Sequence, residues 1–272
     1  MRVRSVVVTG ASSGIGLASA LRLVRSGWQV YGGIRTDADA SALREQGIAP
    51  VALDVTDAAQ IAAAAEAVGP ELHGLVDNAG IAIAAPLELV PLDELRHQLE
   101  VNVVGQVAVL QAFLPALRRT QGRVVLMGSI GGRSALPFLG PYAASKHALE
   151  AFADVLRVEL APWGIAVSIV EPASVKTAIW TKGAAQADAM REGISREADA
   201  LYAERTERFK VVALRRGPGT DPDVVAKAVE HALSAARPKA RYLVGRDAHI
   251  RAWIERLPAR VRDRILAKTL TD

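Results

Sequence analysis

The chain has 272 residues, of which 50% are hydrophobic, 23% are charged and 4% are aromatic, and its formal net charge is +4. This length and composition indicate an ordinary globular protein with a large buried core, and they exclude collagens, coiled coils and low-complexity chains. The absence of cysteine excludes disulfide scaffolds, thiolate metal sites and a catalytic thiol, and it fits a reducing, cytoplasmic setting. Because the chain has neither a signal peptide pattern nor a run of about 18 apolar residues, we expect no transmembrane segment.

Short β-rich runs alternate with segments of helical periodicity along most of the chain. In the first helical segment, Leu17, Leu21 and Val24 recur at helical spacing, and Gly27 ends the pattern. Such alternation predicts parallel strands joined by right-handed crossovers, with helices on both faces of the sheet. The seven predicted strands are Ser5–Thr9, Gln29–Gly33, Val51–Asp54, Gly74–Ala79, Arg123–Ser129, Ala166–Glu171 and Arg241–Val244. The predicted fold class is therefore α/β, a doubly wound parallel sheet in three α/β/α layers.

One long interval breaks this rhythm. Residues 173–220 separate the sixth strand from the last crossover helix by 48 positions and include Trp180, Met190, Tyr202 and Phe209. Insertions of this length in compact domains are commonly lids or binding segments, so we predict a helical substrate lid here. Because no linker or shift in composition divides the chain, we expect a single domain over residues 1–272.

The positive charge is concentrated at the C-terminal end. The stretch Arg237–Asp272 has ten basic and four acidic residues, and apolar residues recur near helical spacing from Ile250 to Ile265. We expect Pro258 to divide this basic helical extension, residues 246–272, into two helices. The extension could pack against the domain or a neighbouring subunit, or it could make a peripheral contact with an anionic membrane. A nucleic-acid partner is not expected, because no binding motif accompanies the charge.

A glycine-rich segment, Thr9–Gly16, lies where the first strand turns into the first helix. The unpaired N–H groups of a helix N-terminus suit a dinucleotide pyrophosphate, and glycine allows that group to approach the backbone closely. The spacing is G-x-x-x-G-x-G rather than the common G-x-G-x-x-G. Taken alone, the segment could also be a tight structural turn.

A second motif places Tyr142 and Lys146 four residues apart on a helix that Pro141 opens. An ammonium group near a phenol favours the phenolate, so Lys146 is expected to lower the pKa of Tyr142 and to allow it to exchange protons. Ser129 ends the fifth strand at the sheet edge where ligands bind in such folds, although it could also simply cap the turn before Gly131. The five histidines show no metal-ligand spacing, so no metal site is predicted.

Together these features resemble the short-chain dehydrogenase/reductase family, from about Val3 to about Gly245. The matching motifs are the Thr9–Gly16 turn, Asp54-Val55, Asp77-Asn78-Ala79-Gly80, Asn102, Ser129, and Tyr142 with Lys146. The resemblance implies a Rossmann-type fold and hydride transfer with a nicotinamide cofactor. It implies that Tyr142 is the general acid/base, that Ser129 orients the reacting oxygen, and that Lys146 holds the nicotinamide ribose. Asn102 would anchor a water molecule in a proton relay.

The resemblance also implies a set of cofactor-binding residues. This set comprises Gly10, Ser12, Ser13, Gly14, Ile15, Gly16, Arg35, Asp54, Val55, Asn78, Ala79, Gly80, Tyr142, Lys146, Pro172, Val175 and Thr177. At the end of the second strand, Ile34 and Arg35 stand where an acid would bind a ribose 2′-hydroxyl, so NADP(H) is favoured, with NAD(H) as the alternative. Asp37 and Asp39 lie close by and weaken this preference.

Two residues depart from the family pattern. Asp77 replaces the first asparagine of the usual Asn-Asn-Ala-Gly, and Ala173 replaces the glycine of the usual Pro-Gly. An ionised carboxylate cannot donate hydrogen bonds, so Asp77 fits a central sheet less readily than asparagine does. Neither replacement removes a catalytic group.

The expected function is therefore an NAD(P)-dependent oxidoreductase that interconverts an alcohol and its ketone or aldehyde. The Val30–Arg35 stretch and the long lid resemble hydroxysteroid and retinol dehydrogenase-like members, so we expect a lipophilic steroid-, retinoid- or acyl-like small molecule. The resemblance also implies a homodimer or homotetramer. A non-catalytic nucleotide-binding regulator or scaffold is the alternative, against which the intact Ser129, Tyr142 and Lys146 count.

Overall fold

The protein is described from a computed structural model, which gives the placement of residues 3–215 and 219–271. Residues 216–218 of the expected lid and residue 272 of the extension lie outside the described residues. Within the described part, one sheet contains seven parallel strands in the order β3-β2-β1-β4-β5-β6-β7. The strands are β1 Ser5–Val8, β2 Gln29–Ile34, β3 Ala49–Ala52, β4 Gly74–Asp77, β5 Arg123–Met127, β6 Ala166–Pro172 and β7 Arg241–Val244. The predicted doubly wound sheet is confirmed.

Helices connect the strands and cover both faces of the sheet. They are α1 Gly14–Arg25, α2 Ala38–Glu45, α3 Ala58–Val68, α4 Leu92–Leu99, α5 Gly105–Thr120, α6 Gly140–Glu159, α7 Ile179–Arg191, α8 Arg196–Arg215, α9 Pro222–Ser234, α10 Arg246–Ile254 and α11 Ala259–Thr271. Helices α7 and α8 occupy the expected lid segment. The C-terminal extension is divided at Pro258, as its proline predicts.

The two layers of core on either side of the sheet follow the alternation of side chains along β1. Val6 and Val8 pack on one side with Leu23 of α1 and Val229 of α9. Val7 points to the other side. There it shares a core with buried residues of α3, α5 and α6, namely Ile61, Phe113 and Leu149. Because every residue of β1 is buried, the strand reads as a continuous apolar run, as expected for a sheet covered on both faces.

Six of the seven strands have bounds that differ from the prediction, and in β3, β4 and β5 the difference is two residues. β4 ends at Asp77 because Thr9 Oγ1 accepts the backbone N–H groups of Asn78 and Ala79, each at 2.8 Å. β5 likewise ends at Met127, two residues before Ser129. β3 runs from Ala49 to Ala52 and includes Pro50, which is tolerated because β3 is an edge strand. The loops that begin at these strand ends form the site described below.

A continuous helical stretch runs from Leu92 to Thr120 through α4, a π-helical segment at Glu100–Val104, and α5. By length and composition it could cross a membrane, which the absence of long apolar runs did not predict. In this fold, however, its apolar face packs against the sheet, where Phe113 and Leu117 are buried. In all, 39% of its most apolar window is buried inside the protein.

Candidate active site

A cleft lies at the carboxyl ends of the strands, where ligands bind in open α/β sheets. Most of the residues expected to bind the cofactor or to act in catalysis line it. They are Gly10, Ser12, Ser13, Gly14, Ile15, Arg35, Asp54, Val55, Asn78, Ala79, Gly80, Ser129, Tyr142, Lys146, Pro172, Val175 and Thr177. Gly16 and Asn102 do not line the cleft but lie behind its wall. The fold thus brings together residues that are more than 160 positions apart in the sequence.

The glycine turn is shaped by close backbone contacts. Gly10 and Gly14 have φ angles of +63° and +57°, in the left-handed region that glycine adopts at little cost. A Cβ atom on Gly16 would lie 2.1 Å from the carbonyl oxygen of Gly10 and 2.6 Å from Asn78 Nδ2. Gly16 is therefore required for packing behind the turn, whereas the sequence predicted that it binds the cofactor.

The N-terminus of α1 is open toward the cleft. Its N-cap residue, Ser13, makes no side-chain capping bond, and α1 has no acidic residue in its first turn. The first N–H groups of a helix have no intrahelical partner and carry a partial positive charge. A Cβ atom at Gly14 would lie 3.0 Å from Thr177 Cγ2, so the turn approaches Thr177 this closely only because residue 14 is glycine. This arrangement fits the pyrophosphate of a dinucleotide.

Thr9 and Asn78 hold the turn against the end of β4. Thr9 Oγ1 donates to Asp77 Oδ1 at 3.2 Å and accepts the N–H groups of Asn78 and Ala79. Asn78 Nδ2 donates to the carbonyl oxygen of Thr9 at 2.9 Å. The side chain of Asn78 thus supports the shape of the cleft wall, a positioning task that the motif did not distinguish from direct cofactor binding.

The opposite end of the cleft is formed by the ends of β2 and β3. Arg35 follows β2 and is exposed. Asp54 Oδ1 accepts bonds from the N–H and Oγ1 of Thr56, at 2.9 and 2.7 Å, and the N–H of Asp54 donates to Gln60 Oε1. The Asp54–Val55 segment is therefore held rigidly where an adenosine would lie, next to a guanidinium whose hydrogen-bonding groups reach solvent.

Ser129 has the capping role that the sequence left open, and its hydroxyl also faces Tyr142. Its Oγ accepts the backbone N–H of Gly131 at 3.0 Å and so caps the short 3₁₀ turn Ile130–Gly132. The same hydroxyl hydrogen-bonds to Tyr142, which lowers the pKa of that phenol. Ser129 is therefore fixed by the turn it caps and presented to the phenol.

Tyr142 lies on the first turn of α6 with only 7% of its surface exposed. Burial raises the pKa of Tyr142 above its ordinary value, while the hydrogen bond from Ser129 and the charge of Arg251 lower it. The expected lowering of this pKa by Lys146 is wrong for the protein alone. Lys146 Nζ is 5.9 Å from the ring centroid, and burial of the phenol outweighs the effects that favour the phenolate.

Lys146 is buried below Tyr142 on the same helix face. Its Nζ donates to the carbonyl oxygen of Met127 at 2.7 Å. Burial lowers the pKa of Lys146 to about 8, and the charge of Asp77 raises it. The ammonium is thus anchored at the end of β5 and is still protonated for the most part at neutral pH.

Asp77, the first departure from the family pattern, is fully buried at the end of β4. Burial raises its pKa to about 8, against smaller opposite effects of Thr9 and Lys146. Its Oδ2 has no hydrogen-bond partner within the described residues. Burial of this kind favours the protonated carboxyl, and a neutral acid fits the central sheet more readily than a carboxylate does.

Asn102 lies within the π-helical segment between α4 and α5. Its Oδ1 accepts the N–H of Ile81 at 2.9 Å, and its Nδ2 donates to the carbonyl of Ile81 and to Ser145 Oγ, both at 3.0 Å. Because these bonds occupy the side chain, it fixes the loop after β4 to helix α6. A water relay at Asn102 stays a prediction.

The lid closes over the reacting end of the cleft. The ring of Trp180, on α7, makes an edge-to-face contact with Tyr142 at a centroid distance of 5.6 Å. Gly183 packs on the backbone of Ala82, where a Cβ would be 2.4 Å from the carbonyl oxygen, and Gln186 Nε2 donates to Glu94 Oε2 at 2.5 Å. The lid thus contributes an aromatic wall beside the phenol.

Sequence reasoning missed one charged residue near the reacting centre. Arg251, on α10, lowers the pKa of Tyr142 through its charge and donates to Ser134 in the turn after β5. In the sequence it was one of several arginines of the basic extension. No local signal separates it from its neighbours, because only the folded chain brings α10 to this turn.

Comparisons with known proteins agree with this geometry. The family model described as short chain dehydrogenase matches residues 4–188. The chain is 34% identical to an NADPH-dependent 3-dehydrocapnine reductase of Ornithobacterium rhinotracheale, covering 98% of each protein, and 36% identical to retinol dehydrogenase 5 of Mus musculus, covering 96% and 87%. A short chain dehydrogenase from Burkholderia cenocepacia, solved in complex with NADP, superposes with a TM-score of 0.76 at 26% identity, over 100% and 99% of the two chains. The chain therefore belongs to the short-chain dehydrogenase family and is an oxidoreductase that acts on alcohol and carbonyl groups.

Proposed function

From this family membership we propose that the protein is an NADP-dependent reductase or dehydrogenase that interconverts a lipophilic alcohol and its carbonyl compound, with Tyr142 as general acid/base. The observation that carries the proposal is the placement of Tyr142, Ser129 and Lys146 in one cleft with an open helix N-terminus. When bound, the nicotinamide supplies or accepts the hydride. The protein residues handle the proton and orient the reacting oxygen.

The proton step is assigned to Tyr142. Carbonyl reduction leaves negative charge on an oxygen, and a neutral phenol hydrogen-bonded to that oxygen can protonate it. Ser129 Oγ, anchored by Gly131, can donate a second hydrogen bond to the same oxygen. In the oxidation direction the phenolate of Tyr142 accepts the proton of the alcohol and becomes the neutral phenol.

The preference for NADP(H) is supported by the end of β2. Arg35 is exposed at the cleft edge, and the preceding residue, Ile34, is apolar and cannot accept a bond from a ribose hydroxyl. A guanidinium can pair with a 2′-phosphate through two parallel hydrogen bonds. Asp39 accepts a bond from Thr36 Oγ1 at 3.1 Å, which keeps this carboxylate engaged within its own turn. The NADPH dependence of the similar 3-dehydrocapnine reductase and the NADP bound in the similar Burkholderia cenocepacia structure support the same preference.

The lipophilic substrate is supported by the side chains around Tyr142. The wall formed by the lid and by the loop after β4 is largely apolar and comprises Ile81, Ala82, Val101, Ile179 and Trp180. His97 and Gln186 are polar groups of the same wall and can orient a substrate oxygen. Two retinol dehydrogenases are among the similar proteins, at 36% and 35% identity.

The decisive experiment replaces the phenol by a ring of equal shape. Tyr142→Phe keeps the contact with Trp180 and removes only the hydroxyl, so we expect kcat for a lipophilic ketone with NADPH to fall by about 10²–10⁴-fold, as for loss of a general acid. Nucleotide affinity, measured from nicotinamide fluorescence, should stay within about twofold. The matched control is Tyr31→Phe on β2, whose hydroxyl accepts a hydrogen bond from Gln29 Nε2. Unchanged turnover of the Tyr142→Phe variant would contradict the proposal and favour a nucleotide-binding regulator.

The cofactor assignment has its own test. Arg35→Ala should weaken NADPH binding by about tenfold, the equivalent of one charge-assisted hydrogen bond, and leave NADH binding unchanged. Arg44→Ala, on the exposed side of α2, is the control for general loss of positive charge. Equal loss of affinity for both nucleotides would contradict a contact with the 2′-phosphate.

A further inference from the structure

Helix α10 rests directly on the turn that carries Ser129. Ala248 and Ala252, on the inner face of α10, pack with Ile130 in one buried cluster. Ala173, at the end of β6, and Leu243, on β7, complete this cluster. Helix α10 thus contacts both the turn after β5 and the end of β6, and its small alanine side chains allow it to approach closely.

Arg251 adds hydrogen bonds to this packing. Its guanidinium donates to the carbonyl oxygen of Ser134 and, at 3.4 Å, to Ser134 Oγ. Ser134 is only 1% exposed, and its N–H donates to the carbonyl of Ile130 at 2.8 Å. Within the same turn the N–H of Gly132 donates to the carbonyl of Ser129 at 2.8 Å. These two backbone hydrogen bonds lie within one tight turn, so the position of Ser134 is coupled to the position of Ser129.

The turn in its own right packs against the phenol ring. A Cβ built on Gly131 would lie 3.3 Å from both Ser129 Oγ and Tyr142 Cε1, so the turn and the ring are in contact with no spare room. A shift of a few tenths of an ångström in the turn would change the distance between the two hydroxyl groups. Catalysis is sensitive to such displacements because the reacting groups must be held in one geometry.

The positively charged groups near Tyr142 lie on two elements, and of these Arg251 lowers the pKa of the phenol. Lys146 lies on its own helix with Nζ 5.9 Å from the ring centroid, and Arg251 approaches from α10 and lowers the pKa of the phenol. Arg133, in the turn, is directed to Glu171 on β6 at 3.5 Å. Since burial alone disfavours the phenolate, the positive charge of Arg251 counteracts this effect of burial.

We propose that Arg251 is a positioning residue for the reaction: through Ser134 it fixes the turn that carries Ser129 beside the phenol ring of Tyr142. The proposal rests on the proposed function of Tyr142 as the group that exchanges the proton. It assigns helix α10 a part in catalysis that needs no contact with substrate or cofactor.

The test compares Arg251→Met and Arg251→Lys in alcohol oxidation with NADP⁺ over a range of pH. Oxidation needs the phenolate, so loss of the charge in Arg251→Met should move the acidic limb of the kcat profile to higher pH. Arg251→Lys keeps the positive charge but loses the paired N–H donors of the guanidinium. We therefore expect the acidic limb of its kcat profile to stay at the wild-type pH while kcat falls by about tenfold, which corresponds to about 1.4 kcal/mol in the activation free energy. A purely structural role would lower kcat at every pH and move no limb.

The matched control is Arg256→Met, an exposed arginine two residues beyond the end of α10. It should retain the wild-type pH profile and kcat. A folded Arg251→Met variant with an unmoved limb would overturn the proposal. If that variant does not fold, wild-type kcat in Arg251→Lys would overturn it instead.

The two proposals fail in different ways. If Tyr142→Phe remains active, the assignment of the proton step is wrong and the proposed function fails with it. If Tyr142→Phe is inactive while both Arg251 variants show the wild-type limb and kcat, only the role of Arg251 is refuted.

Discussion

The cleft has two ends that are built by different means. The nucleotide end is formed by backbone: a turn of glycines, the open N-terminus of α1, and N–H groups held by Thr9. The reacting end is formed by side chains from distant elements, namely Ser129 after β5, Tyr142 on α6, Trp180 on the lid and Arg251 on α10. The first end depends on local conformation, and the second depends on how separate elements pack.

This difference predicts how each end responds to mutation. At the nucleotide end, an added atom collides with backbone, which cannot yield without disturbing the strand or the helix beside it. At the reacting end, a lost side chain leaves its partners unsatisfied and allows loops to move. An added atom at the nucleotide end should abolish nucleotide binding. A lost side chain at the reacting end should reduce kcat more than it reduces nucleotide affinity.

The largest effect is expected for Gly16→Ala. The new Cβ would lie 2.1 Å from the carbonyl oxygen of Gly10, so the cost should exceed the roughly 1–3 kcal/mol of an ordinary overpacked core position. We expect NADPH binding, followed by nicotinamide fluorescence, to be lost. The control is Gly193→Ala, between α7 and α8, where the nearest atom to a Cβ would be 3.7 Å away. Normal NADPH binding by Gly16→Ala would contradict the expectation that a Cβ at residue 16 disrupts the turn.

Asn102→Ala tests the reacting end. Removal of the amide leaves the N–H of Ile81 without its acceptor and detaches the loop after β4 from Ser145, at a cost of about 2 kcal/mol in the free energy of unfolding. We expect kcat to fall more than NADPH affinity does, measured by steady-state kinetics and fluorescence titration. Glu100→Ala, an exposed change in the same segment, should alter stability by less than about 0.5 kcal/mol. Equal losses of kcat and NADPH affinity in Asn102→Ala would contradict the difference proposed between the nucleotide end and the reacting end.

Asp77→Asn tests the buried carboxyl that lies between the two ends. The folded protein holds the Asp77 proton up to a pKa of about 8, whereas the unfolded chain releases it near 3.8. The stability that depends on this proton is therefore complete below the lower value and is lost as the pH rises through the higher one. Asparagine has no proton to lose, so the Tm of the variant should gain on the wild type as the pH is raised from about 5 to about 9.

The control for this titration is Asp93→Asn, because the Asp93 side chain is almost fully exposed and pairs with Arg96 on its own helix. Its Tm should follow that of the wild type over the same pH range. A Tm difference between Asp77→Asn and the wild type that does not change with pH would show that Asp77 is ionised in the folded protein.

The smallest effect is expected for Asp57→Ala, at the N-cap of α3. Asp57 Oδ1 accepts the N–H groups of Ala59 and Gln60 at 2.9 and 3.1 Å, and loss of such a cap costs about 1 kcal/mol. The backbone hydrogen bond of Gln60 is the largest effect that lowers the pKa of Asp57, so its contribution should be lost at acid pH as the carboxylate is protonated. Chemical denaturation at neutral and acid pH would measure both effects. A loss of stability that is the same at both pH values would contradict the role of the ionised cap.

Much of the fold could be predicted from the sequence because the signals are local. The alternation of short apolar runs with helical periodicity predicted the seven strands, and a single proline, Pro258, predicted the break in the C-terminal extension. The strand ends were less accurate, since β4 stops where Thr9, far away in the sequence, takes over the N–H groups of Asn78 and Ala79.

The sequence by itself determined the nucleotide end of the cleft. The Thr9–Gly16 turn needs positive φ angles at Gly10 and Gly14 and no side chain at Gly16, and glycine at these positions meets both needs. Only the tertiary structure decided the protonation of Asp77, the direction of the Tyr142 pKa and the place of Arg251. Burial and pairing of charges depend on which groups surround them, and in this protein those groups come from residues as far apart as Ser134 and Arg251. A motif can therefore name the reacting groups, but the packing of distant elements sets their chemistry.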